Sequence, residues 1–505
     1  MDLFRTKSIE QSIADTDEPE YQLKRSLTAL DLTVFGVGVV IGAGIFTVAG
    51  RAAHTLAGPA VVVSFILAAI CCALAAMCYA EFASTVPVSG SAYTFSYASL
   101  GEFFAWVIGW DLMLEMFLGA SVVAQGWSAY LHVFLEKLGI ILPTWLAYGA
   151  SPFGETTGFD LMAMLLVAVL GVLVTMGIKE SMRVNLALVG LKLFIVLFVI
   201  VAGISFINPA NYSPFVPPAA PTEASAGWNA SLIQAVFSST PTAFGLGGIV
   251  TAAALVFFAY IGFDVVATTA EEAKNPRRDI PIGIIASLTI CTVLYCAVAL
   301  VVTGMVPYDQ LSSSASLANA FAFHNQPWMA TLISAGAVAG LTTVVLTLMV
   351  GATRLMFAMS RDNLLPMSWA KVHKTYRTPY RLTAGITIVV MLLAGLTPIG
   401  DLEEMVNIGT LSAFLLVSIG VPVLRRKRGD LKRAFTVPLS PVLPIVSALI
   451  CLYLMLNLSL LTWARFLLWL AVGLVVYFAW GAWHSRVRTG AQLSPELEQA
   501  LRENH

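Results

Sequence analysis

Four ionisable residues stand where apolar side chains surround them, and they are the first candidates for chemistry. They are Asp111 and Glu115 in WDLMLEMF, Lys192 in NLALVGLKLFIVLFVIVAG, and Asp264 in FFAYIGFDVVATTA. Such groups move protons or bind cations, and a charge among apolar residues is costly unless it faces protein or a water-filled cavity. Asp111 and Glu115 are one helical turn apart and share a face. Asp111 reads as a solvated residue near a span end. Glu115 is deeper and faces inward, either as a hydrogen-bonded structural carboxyl or as a functional one. Lys192 follows Arg183 by nine positions, which in a helix is roughly 14 Å, too deep for its stem to snorkel out. Two readings stand for it: a structural cation bonded to carbonyls, or a titrating, ion-mimicking group beside a site. Glu81, close to Tyr79, reads as structural. Glu271 and Glu272, near Lys274, Arg277 and Arg278, read as an inside gate or a topology anchor.

No enzyme constellation accompanies these groups. His54, His132, His324 and His373 fall at span ends or in loops, without metal-ligand spacing. There is no Walker A loop, no Gly-x-Ser-x-Gly elbow and no HExxH helix. Neither ATP-driven nor hydrolytic chemistry is expected, and no cofactor. The net charge of −1 suggests no nucleic-acid partner.

The elements that must hold these residues are membrane spans. Of the 505 residues, 58% are hydrophobic and 11% charged, against about 25% charged in soluble chains. A spanning helix needs about 20 mostly apolar residues. Twelve stretches qualify: 30–50, 59–84, 101–133, 159–178, 184–206, 248–270, 281–304, 329–358, 381–398, 404–424, 440–462 and 464–484. The boundary between the last two falls around Trp463 and Arg465. With both termini cytoplasmic, 24 of the 28 Lys and Arg fall inside, as the positive-inside rule requires. Arg51, Lys137 and Arg465 fall outside, and Lys192 within the membrane. The first 28 residues are polar and carry no signal peptide core, so the first span is expected to stay in the mature protein. The 207–247 loop, rich in Pro, Ala and Ser, reads as an irregular external cap, and the basic 361–380 loop as holding a short helix. The six cysteines all lie in apolar spans and read as packing residues.

Two spans carry breaks. The first, VFGVGVVIGAGIFTVAG, has Gly42-Ala43-Gly44 at its middle, and the sixth has Gly262 and Asp264 behind an aromatic cluster. Scattered glycines serve helix packing in membranes, but this cluster suits local unwinding. Interrupted spans at equivalent places in two halves, spans 1–5 and 6–10, point to an inverted-repeat transporter. Freed N–H groups at a helix start favour a carboxylate, and freed carbonyls favour an ammonium. A free α-amino acid carries both. The organisation read from this is an N-terminal segment 1–28, a first half 29–206, the loop 207–247, a second half 248–424, a cytoplasmic loop 425–439, two extra spans in 440–484 and a tail 485–505.

These residues resemble the amino acid–polyamine–organocation superfamily, and within it the cationic amino acid transporter branch. VIGAGIF at 40–46 and FFAYIGFDVVATTAEEAKNPRRDIPIGI at 257–284 carry the resemblance most strongly. SGSAYTFSY at 89–97, WDLMLE at 110–115 and RLMFAMSRDNLLP at 354–366 agree with it. It implies an all-α membrane protein with the leucine-transporter fold, two inverted five-helix repeats plus two helices. It implies that Ile41, Gly42, Ala43, Gly44 and Ile45 cradle the substrate carboxylate. Phe258, Ala259 and Ile261 would meet the amine, with Phe258 also closing an outer gate, and Gly119 would line the site. Lys192 matches a span-five lysine that stands where sodium sits in sodium-driven relatives, which implies proton coupling or exchange. Glu115 and Asp264 match polar positions near it. Animal members favour cationic substrates and bacterial ones often neutral ones; the compact chain matches the bacterial type. The span-eight wall, Leu341, Val344 and Val345, is apolar, so a neutral amino acid such as alanine is expected. The alternatives are a cationic amino acid carrier or a polyamine carrier. The expected partners are a free amino acid, protons and the lipid bilayer of the plasma membrane.

Overall fold

The computed structural model describes Arg5 and residues 27–85, 91–142, 159–177, 182–221, 227–237, 242–268, 273–311, 315–373, 376, 378–429 and 433–489. Glu271 and Glu272 lie outside the described residues. The helices that frame the molecule are α1 (Ala29–Val40), α2 (Val61–Thr85), α3 (Glu102–Lys137), α4 (Leu161–Thr175), α5 (Met182–Ile204) and α6 (Gly245–Val256). They continue as α7 (Pro276–Met305), α8 (Pro327–Arg361), α9 (Tyr380–Leu396), α10 (Ile399–Lys427), α11 (Val442–Leu456) and α12 (Leu460–Val476). Each apolar stretch marked in the sequence coincides with one of these, and the first and sixth stretches continue past α1 and α6 as further short helical pieces. By length and composition, 8 helical runs among the described residues could each cross a membrane, and 4 shorter apolar helices accompany them.

The local chemistry explains where helices start and stop. Thr28 caps α1 in a capping box with Asp31, each serving the other's backbone N–H. The α11–α12 turn differs from the sequence expectation: α12 starts at Leu460, because Ser459 caps it by accepting from the Thr462 N–H. The described part of the 207–247 loop is more ordered than an irregular cap. It holds the helix Leu232–Phe237 and a strand pair, Ala220–Pro221 with Thr242–Ala243. It is tied to the α11–α12 turn by bonds from Leu232 N–H to the Leu458 carbonyl and from Leu460 N–H to the Ala230 carbonyl. In the 361–380 loop the expected helix is a single turn, Met367–Ala370.

The packing places α3 at the centre, buried along nearly its whole length and flanked by α8 and α10. α7 packs on α1 and α2. The outside of the molecule is apolar: Phe194, Leu197, Val201 and Ile204 of α5 and Leu467, Leu468 and Val475 of α12 are all exposed. A water-soluble protein does not carry so continuous an apolar surface. Lipid is the solvent this surface fits, and association of helices in lipid rests on close packing and interhelical hydrogen bonds.

Charge pairs fasten both ends of α10. Near its start, Arg51 pairs with Glu403, and Arg465 with Asp401 at 2.9 Å. Near its end, Arg425 reaches both carboxylate oxygens of Glu81 at 2.8 and 2.5 Å, while the Val437 N–H donates to the same carboxylate at 2.7 Å. Glu81, buried between α2 and α10, is thus structural. Glu81→Ala should lower stability by about 2–4 kcal/mol by stranding these donors, seen as a lower melting temperature in detergent. Lys137→Ala, which removes a more exposed pair with Glu136, should leave the melt within about 0.5 kcal/mol.

Candidate functional site

The path of span one breaks where glycine and alanine replace larger side chains. α1 ends at Val40, Ile41 is extended, and helix resumes as a π-type turn, Gly44–Val48. The sixth span breaks in the same manner. α6 ends at Val256, a tight turn covers Phe257–Tyr260, Ile261 is extended, and Gly262 adopts a φ of 113° that only glycine takes readily. The two breaks pack on each other. A Cβ on Gly44 would land on the Ala259 backbone, and one on Gly262 would strike Val39.

Breaking a helix at membrane depth strands carbonyls, and each break has built-in donors. Lys192 Nζ donates to the Gly38 carbonyl at 2.8 Å, and the Tyr295 hydroxyl to Val40 at 2.7 Å. Tyr130 and Ser316 donate to the Phe46 carbonyl at 2.6 and 3.1 Å. In span six, Asn407 Nδ2 donates to the Ala254 and Leu255 carbonyls at 2.8 and 3.2 Å.

A cavity lies against both breaks, with about 400 Å³ of empty space counting its open mouth. Span one contributes Val39, Val40, Gly42, Ala43 and Gly44 to its wall, and span six contributes Phe258, Ile261 and Gly262. Glu115, Gly119 and Val123 come from α3, and Val344 and Leu348 from α8. Among the described residues the wall is thus apolar side chains plus unwound backbone, with one carboxyl, Glu115.

The sequence-named residues divide accordingly. Gly42, Ala43, Gly44, Gly119, Phe258, Ile261, Val344 and Glu115 meet at the cavity. Ile41 and Ile45 are fully buried away from its wall. Ala259 is absent from the wall because its backbone is pressed against Gly44. Val345 and Leu341 are buried elsewhere on α8; the cavity face of that helix is Val344 and Leu348, four positions apart. Lys192 stands behind span one rather than in the cavity, against Gly340 of α8. Asp264 is buried at the start of the short helix Val265–Thr268, with the backbone of Gly262 and Val265 against its carboxyl. One of its oxygens accepts no hydrogen bond among the described residues. It lies within electrostatic reach of Glu115 and of the buried Tyr79 hydroxyl. Asp111 is not solvated: it is 1% exposed and accepts from Ser412 of α10 at 2.6 Å.

Comparison with known proteins decides the family. The family model described as amino acid permease matches residues 27–479. The chain belongs to this family. It is a multi-pass membrane transporter and not an enzyme. Among relatives of this permease, a branched-chain amino acid permease of Bacillus subtilis is 47% identical over 96% of this chain and 99% of its own length. A methylthioribose transporter of the same organism is 45% identical over 96% of this chain and 98% of its own. A vacuolar cationic amino acid transporter of Arabidopsis thaliana is more distant, 36% identical over 84% of this chain and 67% of its own.

Val39, Val40, Val123 and Leu348 escaped the sequence reading of the permease site because nothing in an apolar run marks which side chain faces a cavity, whereas Gly262, read as part of the second break, also lines the wall. Tyr295 and Asn407 carried a weak signal, as polar side chains within helices that are otherwise largely apolar. The packing of the breaks gives a sharp contrast for mutation. Gly44→Ala should destabilise the permease by about 1–3 kcal/mol through overpacking, whereas a Cβ on Gly119 meets only Leu348 at 3.5 Å, an ordinary contact. Thermal unfolding in detergent should therefore show a lowered midpoint for Gly44→Ala and a near wild-type one for Gly119→Ala.

Proposed function

We propose that this permease moves neutral amino acids across the plasma membrane by alternating access, coupled to protons and independent of sodium. The observation that carries the reading is the cavity against two backbone breaks, whose side-chain wall among the described residues is mostly apolar, Val39, Val123, Val344 and Leu348, beside the carboxyl of Glu115. In this reading the chain crosses the membrane twelve times with both termini cytoplasmic. α1–α5 and α6–α10 form two inverted halves, 29–206 and 248–424, and α11–α12 are extra.

The substrate carboxylate meets Gly42, Ala43 and Gly44 at the start of the resumed helix, where N–H groups lack intrahelical partners and the helix dipole favours an anion. The amine meets the span-six turn around Phe258, Ala259 and Ile261, and Phe258 closes over it. The side chain points at Val344, Leu348 and Gly119. That wall suits alanine, and it suits the larger aliphatic side chains that a branched-chain permease relative would carry. Lys192, Glu115 and Asp264 form the coupling set. Lys192 places its ammonium against the unwound end of α1, where a bound cation would otherwise serve, and Glu115 at the cavity wall lies within electrostatic reach of Asp264 behind it.

The test is uptake into liposomes holding the purified protein. Labelled alanine and leucine should accumulate when an inward proton gradient is imposed, and a sodium gradient should add nothing. Uptake of lysine or arginine instead would assign Glu115 to a cationic side chain, and uptake of methylthioribose would favour the function named for the second Bacillus relative. Lys192→Met should abolish accumulation driven by the pH gradient while leaving the protein folded; accumulation that persists in this variant contradicts its coupling role. Gly119→Ala, which adds a methyl at the side-chain wall, should raise the KM for leucine about tenfold more than that for alanine. Equal effects on both would remove Gly119 from the pocket.

A further inference from the structure

Each broken span receives a side-chain donor just before its regular α-helix ends; α1 then gives way to extended Ile41, whereas α6 tightens into the turn Phe257–Tyr260 before extended Ile261. α1 stops at Val40, and the carbonyl two residues earlier, Gly38, receives Lys192 of α5 at 2.8 Å. α6 stops at Val256, and the carbonyl two residues earlier, Ala254, receives Asn407 of α10 at 2.8 Å, with Leu255 receiving the same amide at 3.2 Å. Counted from α1 and from α6, the donor helix is the fifth in each case. The orientation of the Asn407 amide follows from its surroundings: two carbonyls face it, so the NH2 group must point at them. Asn407 is completely buried.

We propose that Asn407 is the second-half counterpart of Lys192, a positioning residue that sets the amine subsite. By donating to the Ala254 carbonyl it replaces a donor that a continuing helix would supply, and it shares the Leu255 carbonyl with the Phe257 N–H. α6 therefore tightens after Val256, and the turn that follows carries Phe258 and Ile261 to the cavity. The first break is held by a cation and the second by a neutral amide. Asn407 therefore acts on substrate affinity without titrating, while proton sensitivity stays with the Lys192 half. The inference rests on the reading of the protein as an amino acid transporter whose substrate amine meets span six. The bland alternative is an amide that merely fills a polar gap between α6 and α10.

The experiment compares labelled leucine uptake by wild type, Asn407→Leu and Asn407→Gln in proteoliposomes across a pH series. Asn407→Leu keeps the volume and loses the donors. It should raise the KM for leucine roughly tenfold, as the turn carrying Phe258 and Ile261 loses its fixed position, with a smaller change in maximal rate and no change in the pH of half-maximal uptake. Asn407→Gln keeps an N–H donor and should recover part of the affinity. If Asn407→Leu does not fold, Asn407→Ser, with one hydroxyl donor, should still show weakened protection by leucine against thermal unfolding in detergent. A wild-type KM in Asn407→Leu, an equal loss in the Leu and Gln variants, or a shifted pH profile overturns the inference. Undiminished leucine protection in Asn407→Ser overturns it where Asn407→Leu is not available. Wild-type protein that takes up no amino acid overturns the substrate reading and this inference with it. Wild-type uptake that is indifferent to Asn407 overturns the inference alone.

Discussion

In a bilayer there is no water to receive a stranded backbone group, so a helix can be broken at membrane depth only where protein supplies the missing partners or where a cavity needs them. Both broken spans of this permease obey that constraint. Gly38, Val40 and Phe46 receive Lys192, Tyr295, Tyr130 and Ser316, and Ala254 and Leu255 receive Asn407. These donors come from α3, α5, α7, α10 and the helix Ser316–Phe323, so most of the molecule is arranged around two short stretches of non-helical chain. The groups left over at the breaks face the cavity, where the proposed substrate would meet them.

The same constraint explains the small residues at the crossing. The breaks approach so closely that Gly44 lies against the Ala259 backbone and Gly262 against Val39. A side chain at either glycine would separate the two half-sites, and with them the spacing between a carboxylate subsite and an amine subsite. The packing that stabilises the centre and the geometry proposed to read the substrate are therefore one feature. The ion pairs at the two ends of α10 stand apart from it: Arg51 with Glu403 and Glu81 with Arg425 fasten the periphery of the bundle.

Much of this was legible in the sequence, for identifiable reasons. Apolar runs long enough to span, the mid-span Gly42-Ala43-Gly44 and the Gly262–Asp264 pair located the helices and both breaks, because glycine and charge are conspicuous against an apolar background. Lys192 was found by the same contrast. The face of each helix was harder to read. In α8 the choice among Leu341, Val344 and Val345 depends on a rotation of 100° per residue, which a uniformly apolar helix does not betray. Asp111 was misplaced because its partner, Ser412, lies 301 residues away in sequence. Asn407 was visible but unassigned, since its role depends on which carbonyls α6 leaves open.

The central claim is that the two breaks together recognise the two charged ends of a free amino acid. Competition against labelled leucine uptake in proteoliposomes tests it most directly, using leucine, leucinamide, which lacks the carboxylate, and 4-methylpentanoate, which lacks the amine. If both breaks bind the zwitterion, unlabelled leucine competes fully while each truncated compound competes at least about a hundredfold more weakly, since a site built for a polar group rejects its absence strongly. Competition by either truncated compound at leucine-like concentrations would contradict the claim and detach one of the two breaks from substrate recognition.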